Sequence, residues 1–494
     1  MPSTTPARPL DRVVLAAALL FPLLYAATAL ARLSYPFELE WMEGGVLAGV
    51  QRLLHGQPLY AAPSLDYIPF DYTPLYLWVA ALPARLLGES FAALRLTSFA
   101  ASLGVFALLA SIVRREGGSA AAAFLAVGLF AATYRLAGAW LDVARPDTLF
   151  LLLVLAALRA YRMRDPARGG ALAGALFALA FLAKQTALLI ALPVVLHALI
   201  AERRRFAALA GAMLALIGGS TLLLDRASGG WYRYYVFGVA LGHRVDPSLL
   251  LRFWIGDLAR PLAIAAVIGA AALVRPAPGA ATGTRGFLAA AAAGLLGSAW
   301  WLRMFRGSYD NALLPACAGV ALLFGLGGDA LRARLAAATP GRARAALEAA
   351  LALAALAQLT LLAWNPLAQI PTAADRAAGE RLIENLRQAP GPVLVPSHPY
   401  LAARAGMPAH FHEVALDDVI GHGHGPVERA LAADLERALR EHRWAAVVLD
   451  NRDWLWDDAS PYYQAAWPAL GAGDGLWTRT GMLTRPDSVL VPRR

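Results

Sequence analysis

The sequence predicts a mainly α-helical, polytopic membrane bundle that carries a small α/β domain at its C-terminal end. Of its 494 residues, 59% are hydrophobic and only 16% are charged, whereas apolar residues make up about 45–50% of a soluble domain. The formal net charge of +10 comes from basic residues that cluster in short loops between apolar runs, an arrangement that orients membrane helices. The composition therefore predicts a lipid bilayer, and no nucleic acid, as partner.

Eleven apolar runs are predicted to cross the membrane, which requires about 20 residues in a straight helix. They are residues 13–33, 91–113, 120–136, 148–160, two arms of a hairpin within 171–201, 206–224, 261–274, 287–302, 312–326 and 345–362. The run at residues 75–87 is interrupted by Pro83 and Arg85, and as a helix it would extend only about 20 Å. Because the hydrocarbon core is roughly 30 Å thick, we expect this helix to lie in the outer interface.

Basic clusters predict the orientation of these spans. Arg8 and Arg12 precede the first span, and with eleven crossings the clusters at 114–115, 162–168, 203–205 and 332–344 all face the cytoplasm, as short basic loops do. A cleaved signal peptide is the alternative at the N-terminus, but the first apolar run is longer than the roughly 7–15 residues of a signal core. We expect a multi-pass protein of the inner (plasma) membrane whose first loop faces outward.

The composition changes at Asn365, which predicts two domains. Residues 1–364 form the transmembrane module, and residues 365–494 form a soluble extracytoplasmic domain. Helical patterns at 374–388 and 427–441 alternate with short apolar strands at 392–396 and 445–450. Helices that alternate with short buried strands are typical of a small α/β domain.

Ionisable residues concentrate at the predicted outer ends of the spans, whereas the span centres are nearly free of charge. This set comprises Glu40, Glu43, Asp71, Arg145, Asp147, Lys184, Arg303, Arg306 and Asp310. Charged groups next to lipid are costly and mark function more often than chance. A transporter would place such groups near the bilayer midplane, so the pattern favours one catalytic cavity at the outer leaflet. The simpler alternative is that outer loops are merely polar.

Acids and bases together at a bilayer surface can transfer a group from a lipid phosphate. A carboxylate can accept the proton of an acceptor hydroxyl, while cations stabilise the phosphate leaving group. The sequence has no Gly-rich phosphate loop, no G-x-S-x-G elbow and no H-E-x-x-H helix, so hydrolase and nucleotide-dependent functions lack support.

Several motifs occur in an order that resembles the GT-C superfamily of membrane glycosyltransferases, which includes protein O-mannosyltransferases and the lipid A aminoarabinose transferase. They are E-L-E-W-M-E-G-G at 38–45, L-x-x-G-x-P-L-Y at 53–60, F-D-Y-T-P-L-Y-L-W at 70–78, L-L-G-x-S-x-x-x-x-R-L at 86–96, R-P-D at 145–147, L-A-K-Q-T at 182–186 and G-S-Y-D-N-A-L-L-P at 307–315. The resemblance covers about the first two thirds of the chain.

The resemblance implies an inverting enzyme that moves a sugar from a polyprenyl phosphate to a glycan, lipid or protein acceptor on the outer face. Glu43 aligns with the second acid of the family's D-E pair, where Met42 replaces the first, and is preferred as the base over Glu40. The other implied site residues are Asp71 and Asp147 for catalysis, Lys184, Arg303, Arg306, Arg145 and Tyr72 for the donor phosphate, and Tyr309 and Asn311 for substrate.

Alternative functions and a metal stay open at this point. A transporter or flippase of a lipid-linked saccharide is the main alternative, and a non-catalytic sugar-binding module is the third. Some relatives bind a divalent metal and others do not, so a metal at Asp147 is left open and no cofactor is assigned.

The C-terminal domain offers a second candidate for metal binding, a run of histidines and acids. It comprises His410, His412, Glu413, Asp417, Asp418, His422 and His424. Alternate histidines can chelate a metal, but H-x-H beside glycines is interpreted as a solvated turn. Asp450, at the end of a strand, is interpreted as a cap or turn, with a ligand crevice as the alternative.

Overall fold

The structure, a computed structural model, describes residues 9–421, 425–451 and 455–493, so Arg8, His422 and His424 lie outside the described residues. Helices make up most of the membrane part of the chain. In order they are α1 (Pro9–Leu33), α2 (Glu43–Leu54), α3 (Leu75–Leu87), α4 (Phe91–Arg115), α5 (Ala120–Ala132), α6 (Asp147–Tyr161), α7 (Pro166–Ala183), α8 (Ala187–Ala201), α9 (Arg203–Ala227), α10 (Trp231–Arg233), α11 (Arg260–Val274), α12 (Thr284–Arg303), α13 (Leu314–Ala338) and α14 (Gly341–Leu361). Between α10 and α11 the chain forms π-helical segments at Tyr234–Val239 and Phe253–Ala259.

A helix occurs at each of the eleven predicted spans, and the predicted fold class is confirmed. Seven helical stretches of the described residues are long and apolar enough to cross a membrane. They include α1, α4, α7, α9, α13 and α14, and the stretch that ends with α11. The helices at the other four predicted spans, α5, α6, α8 and α12, are shorter or less apolar. Helix α3 is separate and has 13 residues, as expected for an interfacial helix.

Small residues let the helices of the bundle pack closely. A Cβ at Gly128 of α5 would collide with the backbone of Ala18 in α1, and one at Gly327 of α13 would collide with the carbonyl oxygen of Ile268 in α11. Helices in lipid lack a hydrophobic driving force for association. Small residues let their backbones approach closely, so that van der Waals packing stabilises the bundle instead. Helix α13 lies at the centre, because 89% of the residues in its most apolar 18-residue stretch are buried. In α9 only 6% of the residues in the corresponding stretch are buried. Helix α9 therefore lies at the periphery, where lipid would contact it.

The predicted hairpin at residues 171–201 is present. Helix α7 ends at Ala183, Lys184 takes an extended backbone conformation, and α8 begins at Ala187. The three residues at this break, Lys184 to Thr186, form the tip of the hairpin.

The C-terminal part folds as the predicted α/β unit, with two more strands than the pattern indicates. Its helices are α15 (Ala373–Arg387), α16 (Pro399–Arg404), α17 (Glu413–Ile420), α18 (Pro426–Arg440) and α19 (Trp456–Ala459), and its strands are β1 (Val393–Leu394), β2 (Ala446–Asp450), β3 (Tyr463–Pro468) and β4 (Pro486–Pro492). The sheet order is β1-β2-β4-β3, with β1 and β2 parallel and the other pairs antiparallel. The carboxyl ends of β1 and β2 lead into His398 and Asp450.

The loop between α1 and α2 is covered by this C-terminal unit. The amides of Arg479 and Thr480 both donate to the carbonyl oxygen of Leu39, at 2.8 and 2.9 Å. The imidazole Nε2 of His412 lies 3.0 Å from the carbonyl oxygen of Trp41. The first loop is therefore held between the helical bundle and the α/β unit, and its acids are buried there.

Candidate active site

Glu43 is the most completely bonded carboxylate of the first loop. Arg95 of α4 donates from Nε to Oε1 at 2.9 Å and from Nη2 to Oε2 at 2.5 Å. The amides of Leu39 and Ala144 also donate to its two oxygens, each at 2.7 Å. Burial opposes the charge of Glu43, but Arg95 and these hydrogen bonds outweigh it and lower the pKa of the carboxyl. Glu43 is thus held as an anion, with both oxygens engaged in positioning the loop.

Glu40 has the opposite environment. Its Oε2 accepts from the amide of Met42 at 3.1 Å and from Nη1 of Arg145 at 3.3 Å. Its Oε1 is buried without a hydrogen-bond partner among the described residues. Burial raises the pKa of Glu40 to about 8, and the nearby Arg145 only partly offsets this. A carboxylate with a free oxygen and a pKa close to neutral is suited to accept a proton.

Arg145 connects Glu40 to Tyr72. Its Nη2 donates to the hydroxyl of Tyr72 at 2.8 Å, and its guanidinium lies 5.2 Å from the centre of that ring. Its Nε has no partner among the described residues, although the side chain is only 2% exposed. A buried guanidinium with an unused donor is well placed for an anionic oxygen, because Arg recognises phosphate through a planar fork of donors.

Asp147, at the start of α6, joins Lys184 and Asn311. Its Oδ1 accepts from Nζ of Lys184 at 2.6 Å and from Nδ2 of Asn311 at 3.0 Å. Its Oδ2 is buried and has no partner in the described part of the chain. Asp147 therefore orders the lysine at the hairpin tip and keeps one oxygen for a ligand.

Arg303 and Arg306 belong to a different cluster. Arg303 forms two hydrogen bonds to Asp257, at 2.7 and 3.1 Å, and lies 3.4 Å from Asp310. Arg306 is 85% exposed and pairs with Asp246 at 2.7 Å. The structure therefore does not place these two arginines in the hydrogen-bond network of Glu40 and Asp147.

Tyr309 packs against aromatic residues of that network, whereas Asp71 faces another group. The centre of the Tyr309 ring lies 5.8 Å from that of Trp41 and 6.4 Å from that of Trp140. The carboxylate of Asp71 lies 3.7 Å from His243, and only its backbone oxygen reaches the hairpin tip, through Gln185 at 2.6 Å. Of the predicted residues, Glu40, Glu43, Tyr72 and Arg145 share one set of hydrogen bonds, and Asp147, Lys184 and Asn311 share a second set. The charges of Arg145 and Asp147 interact and join the two sets into one network.

An apolar groove leads to this network. It is a narrow, partly open groove between α2, α3 and the loop that connects them, with a cavity volume of about 30 Å³. Tyr60, Tyr67, Phe70 and Tyr72 line it, and Pro146 closes one end. The groove thus ends beside the residues that neighbour Arg145 and Asp147, and an apolar chain in it would place its polar end there.

The residues at Asp147 do not fit the divalent metal that the resemblance leaves open. The described residues contain no group of three or more His, Cys, Asp or Glu side chains that could hold a metal ion. At Asp147 the neighbours are instead a lysine and an amide nitrogen, which repel or cannot ligate a cation. We therefore derive no step through a metal at this site.

The H-x-H motif beside glycines, residues 422–424, which is interpreted as a solvated turn, lies outside the described residues, whereas the interpretation of Asp450 as a cap or turn is wrong. His410 and His412 are 9% and 4% exposed, because they pack under the first loop. Asp450 is 3% exposed and lies 3.0 Å from Nε2 of His398.

Sequence reasoning missed Arg95, Glu38 and His398 as contributors to the site. A single arginine within an apolar helix was the available signal for Arg95, because such a residue needs a buried anion. Glu38 stands in the acidic motif itself, but its partner His398 is 360 positions away.

Comparisons with known proteins give a family match over part of the chain and a similar fold over most of it. Residues 71–224 match the model of the dolichyl-phosphate-mannose-protein mannosyltransferase family. No curated protein gives a significant sequence match. The fold is similar to that of ArnT from Cupriavidus metallidurans, solved bound to undecaprenyl phosphate, with a TM-score of 0.60, 13% identity and 97% of both chains covered.

Two further solved structures share the fold. The oligosaccharyltransferase AglB from Archaeoglobus fulgidus, solved with an inhibitory peptide and a dolichol-phosphate, has a TM-score of 0.50 and 12% identity over 97% of this chain and 76% of that one. The arabinofuranosyltransferase AftD from Mycobacteria has a TM-score of 0.50 and 18% identity over 94% of this chain and 41% of that one. All three are GT-C glycosyltransferases. The chain is a multi-pass membrane protein with their fold, and the resemblance of its motifs to the GT-C superfamily of membrane glycosyltransferases is confirmed.

Proposed function

We propose that this protein transfers a sugar from a polyprenyl phosphate to an acceptor hydroxyl at the outer face of the membrane, with Glu40 as the general base. The observation that carries the assignment of the base is the unpartnered, buried Oε1 of Glu40 beside Arg145. Glu43, preferred from the motif alone, is a positioning residue in this proposal, because both of its oxygens are occupied by Arg95 and backbone amides.

The proposed step is an in-line displacement with inversion. The acceptor oxygen attacks the anomeric carbon while the bond from that carbon to the phosphate oxygen breaks. The leaving phosphate takes the bonding electron pair, and the hydroxyl proton passes to Oε1 of Glu40. A positioned carboxylate typically contributes about 10²–10⁴-fold to such a proton transfer.

The donor phosphate is proposed to bind between Lys184 and Arg145. Arg145 is buried and Lys184 is 12% exposed, and both cations lie beside Asp147, whose free oxygen could accept from a sugar hydroxyl. Tyr72 stands where related sequences have lysine, and its hydroxyl is tied to Arg145, so the charge comes from Lys184 of the hairpin tip. The aromatic groove beside Tyr72 would take the apolar chain of the donor.

Arg303, Arg306 and Asp71 remain predictions with weaker support. Arg303 and Arg306 would reach a phosphate only after exchanging their carboxylate partners. Asp71 would act on the acceptor side, where it faces His243. The sugar and the acceptor, whether glycan, lipid or protein, are to be identified by experiment.

Transfer and transport can be separated with reconstituted protein. Undecaprenyl-phosphate-linked mannose, aminoarabinose and arabinofuranose are each supplied as donor in a separate reaction. Membrane extract serves as acceptor, and the released undecaprenyl phosphate is measured. We expect release by the wild type with at least one donor. Glu40→Gln should bind undecaprenyl phosphate normally yet lose about 10²-fold or more in release.

Asp66→Asn is the matched control, because Asp66 is an acid of the loop between α2 and α3 with a 65% exposed side chain. It should release at the wild-type rate. Normal release by Glu40→Gln would remove the assignment of the base. Movement of the intact donor across the bilayer without release would favour the transporter.

A further inference from the structure

His398 of the C-terminal domain lies between two buried carboxylates from different parts of the chain. Its Nδ1 hydrogen-bonds to Oε2 of Glu38 in the first loop, and its Nε2 lies 3.0 Å from Oδ2 of Asp450 at the end of β2. All three side chains are at least 96% buried. This trio is therefore a direct link between the C-terminal domain and the loop that carries Glu40.

The geometry favours a charged imidazole. An ionised carboxylate can only accept, so between two ionised carboxylates both ring nitrogens must donate, which a histidine does only as the imidazolium ion. Burial lowers the pKa of His398, but the charges of Asp450 and Glu38 outweigh burial and raise it well above the ordinary value. Burial also raises the pKa of Glu38 to about 7, so the link becomes a fully charged triad above that pH.

Glu38 passes this link on to the acidic turn. Its other oxygen, Oε1, accepts from the amide of Gly44 at 2.7 Å in the first turn of α2. Its own amide donates to the hydroxyl of Tyr400, next to His398, at 3.3 Å. Glu40 lies in the chain between Glu38 and Gly44, which these hydrogen bonds fix. The orientation of the Glu40 side chain therefore depends on the position of Glu38.

We propose that His398 is a positioning residue that fixes the acidic turn, residues 37–45, from the C-terminal domain. The consequence for catalysis rests on the proposed function, since Glu40 is then aligned only while the domain is docked on the loop. A displacement of a general base by about 1 Å can lower the reaction rate on the order of 10²-fold.

Two other links from the C-terminal domain to this turn are hydrogen bonds to backbone oxygens and do not depend on a charged group. Backbone amides of Arg479 and Thr480 hold Leu39, and His412 donates to the carbonyl oxygen of Trp41. Burial lowers the pKa of His412 to about 3, so this ring is neutral. His398 is thus the link whose strength should change with pH.

The sign of that change follows from the groups that face His398. They are Glu38 of the first loop, Asp450 of β2, Glu413 of α17 and Tyr400 of α16. The pKa of His398 is higher in the folded state than in the unfolded state, so its contribution needs the imidazolium form, while burial raises the pKa of Glu38 to about 7, so the charge of Glu38 is lost as pH falls below that value. The contribution of His398 is lost as pH rises through its folded-state pKa.

Hydrogen exchange of the acidic turn tests the proposal without donor or acceptor, so the result is independent of whether the protein is a transferase. At pH 7, His398→Asn should speed exchange in peptides covering residues 38–46 by about tenfold or more, while peptides of α4 and β4 stay unchanged. His410→Asn is the matched control, because His410 also links the domain to the membrane module, through Asp66 of the loop between α2 and α3 at 3.2 Å. It should leave the acidic turn unchanged.

Two further measurements keep the test decisive if His398→Asn folds poorly. In the wild type, exchange of this turn, corrected for its intrinsic pH dependence, should accelerate at alkaline pH, and in His410→Asn it should do the same. The double variant Glu38→Gln, His398→Asn should exchange no faster than His398→Asn alone, because both changes remove one link. Unchanged exchange in His398→Asn, or additive effects in the double variant, would overturn the proposal.

Discussion

At the residue scale, two glutamates three positions apart have different roles because their partners differ. Glu43 faces Arg95, and both side chains are fully buried. Glu40 faces Arg145 with one oxygen to spare. A strongly paired carboxylate has a lowered pKa and is a weak base. A desolvated carboxylate with a single cation nearby keeps a pKa close to neutral pH and is a better base.

The first prediction concerns the buried pair of Glu43 and Arg95. Glu43→Gln leaves the guanidinium of Arg95 buried without its counter-ion, which typically costs about 3–5 kcal/mol. We expect a lower thermal midpoint and lower yield of the purified protein. Glu89→Gln is the control, because Glu89 pairs with His55 at the surface and should change stability by less than about 0.5 kcal/mol. A Glu43→Gln protein with wild-type stability but no turnover would return the role of base to Glu43.

The second prediction is the pH dependence of transfer. Because burial raises the pKa of Glu40 to about 8, the carboxyl is mostly protonated at pH 6 and cannot accept a proton there. We expect kcat/KM to rise roughly tenfold per pH unit from pH 6 and to level off above about pH 8. Arg145→Gln removes the cation that favours the anion, so its lower residual rate should reach its plateau at higher pH. A flat profile between pH 6 and 8 would contradict this role.

Much of this site could be predicted from the order of motifs in the sequence. The acids after the first span, R-P-D, the lone lysine of L-A-K-Q-T and G-S-Y-D-N supply Glu40, Arg145, Asp147, Lys184 and Asn311, which the structure brings into one network. The choice between Glu40 and Glu43 could not be predicted, because it depends on which carboxylate Arg95 reaches across the fold. Likewise, nothing local indicates that His398 meets Glu38.

At the element scale, hydrophobic pattern and punctuation by proline, glycine and charge predict most helices. The break between α7 and α8 falls at Lys184 as expected, and α3 is separate from α4. Strands β3 and β4 were missed, because their residues are largely exposed or irregular in pattern. They exist because each pairs with a neighbour in the sheet, which is a tertiary interaction.

The third prediction concerns the contact between α7 and α9. A Cβ at Gly174 of α7 would collide with the carbonyl oxygen of Leu209, whereas a Cβ at Gly211 of α9 meets no heavy atom within 4 Å. We expect Gly174→Ala to lose about 1–3 kcal/mol by overpacking, measured as a lower thermal midpoint in detergent. Gly211→Ala should be neutral or gain up to about 1 kcal/mol. Equal midpoints for the two variants would contradict close packing at this contact.

At the scale of the whole molecule, contacts between the first loop and the C-terminal domain constrain the topology. Thr480 bonds to Leu39 and His398 to Glu38, so both regions lie on the same side of the membrane. An even number of crossings must therefore separate them. With the crossings that the sequence predicts, α4 to α9 and α11 to α14 supply ten, whereas a spanning α3 would make eleven and separate the two regions. The contact thus supports an interfacial α3.

The last prediction assigns the sides. In a Cys317→Ala background, single cysteines replace three exposed residues: Ser64 between α2 and α3, Gln388 in the C-terminal domain and Ala337 in the last turn of α13. We expect an impermeant maleimide to label positions 64 and 388 in intact spheroplasts and position 337 only after permeabilisation, because the basic cluster at 332–344 favours the cytoplasm.

Each other outcome of this labelling points to a definite error. Labelling of position 337 alone would show that the protein has the opposite orientation in the membrane. The site would then face the cytoplasm, where the proposed outer-face reaction could not occur. Label at 64 but not at 388 would mean that α3 or another helix adds a crossing, which the bond between Thr480 and Leu39 forbids in a folded protein. Since that bond joins the base-bearing loop to the domain, the side found for position 388 also fixes the side on which Glu40 works.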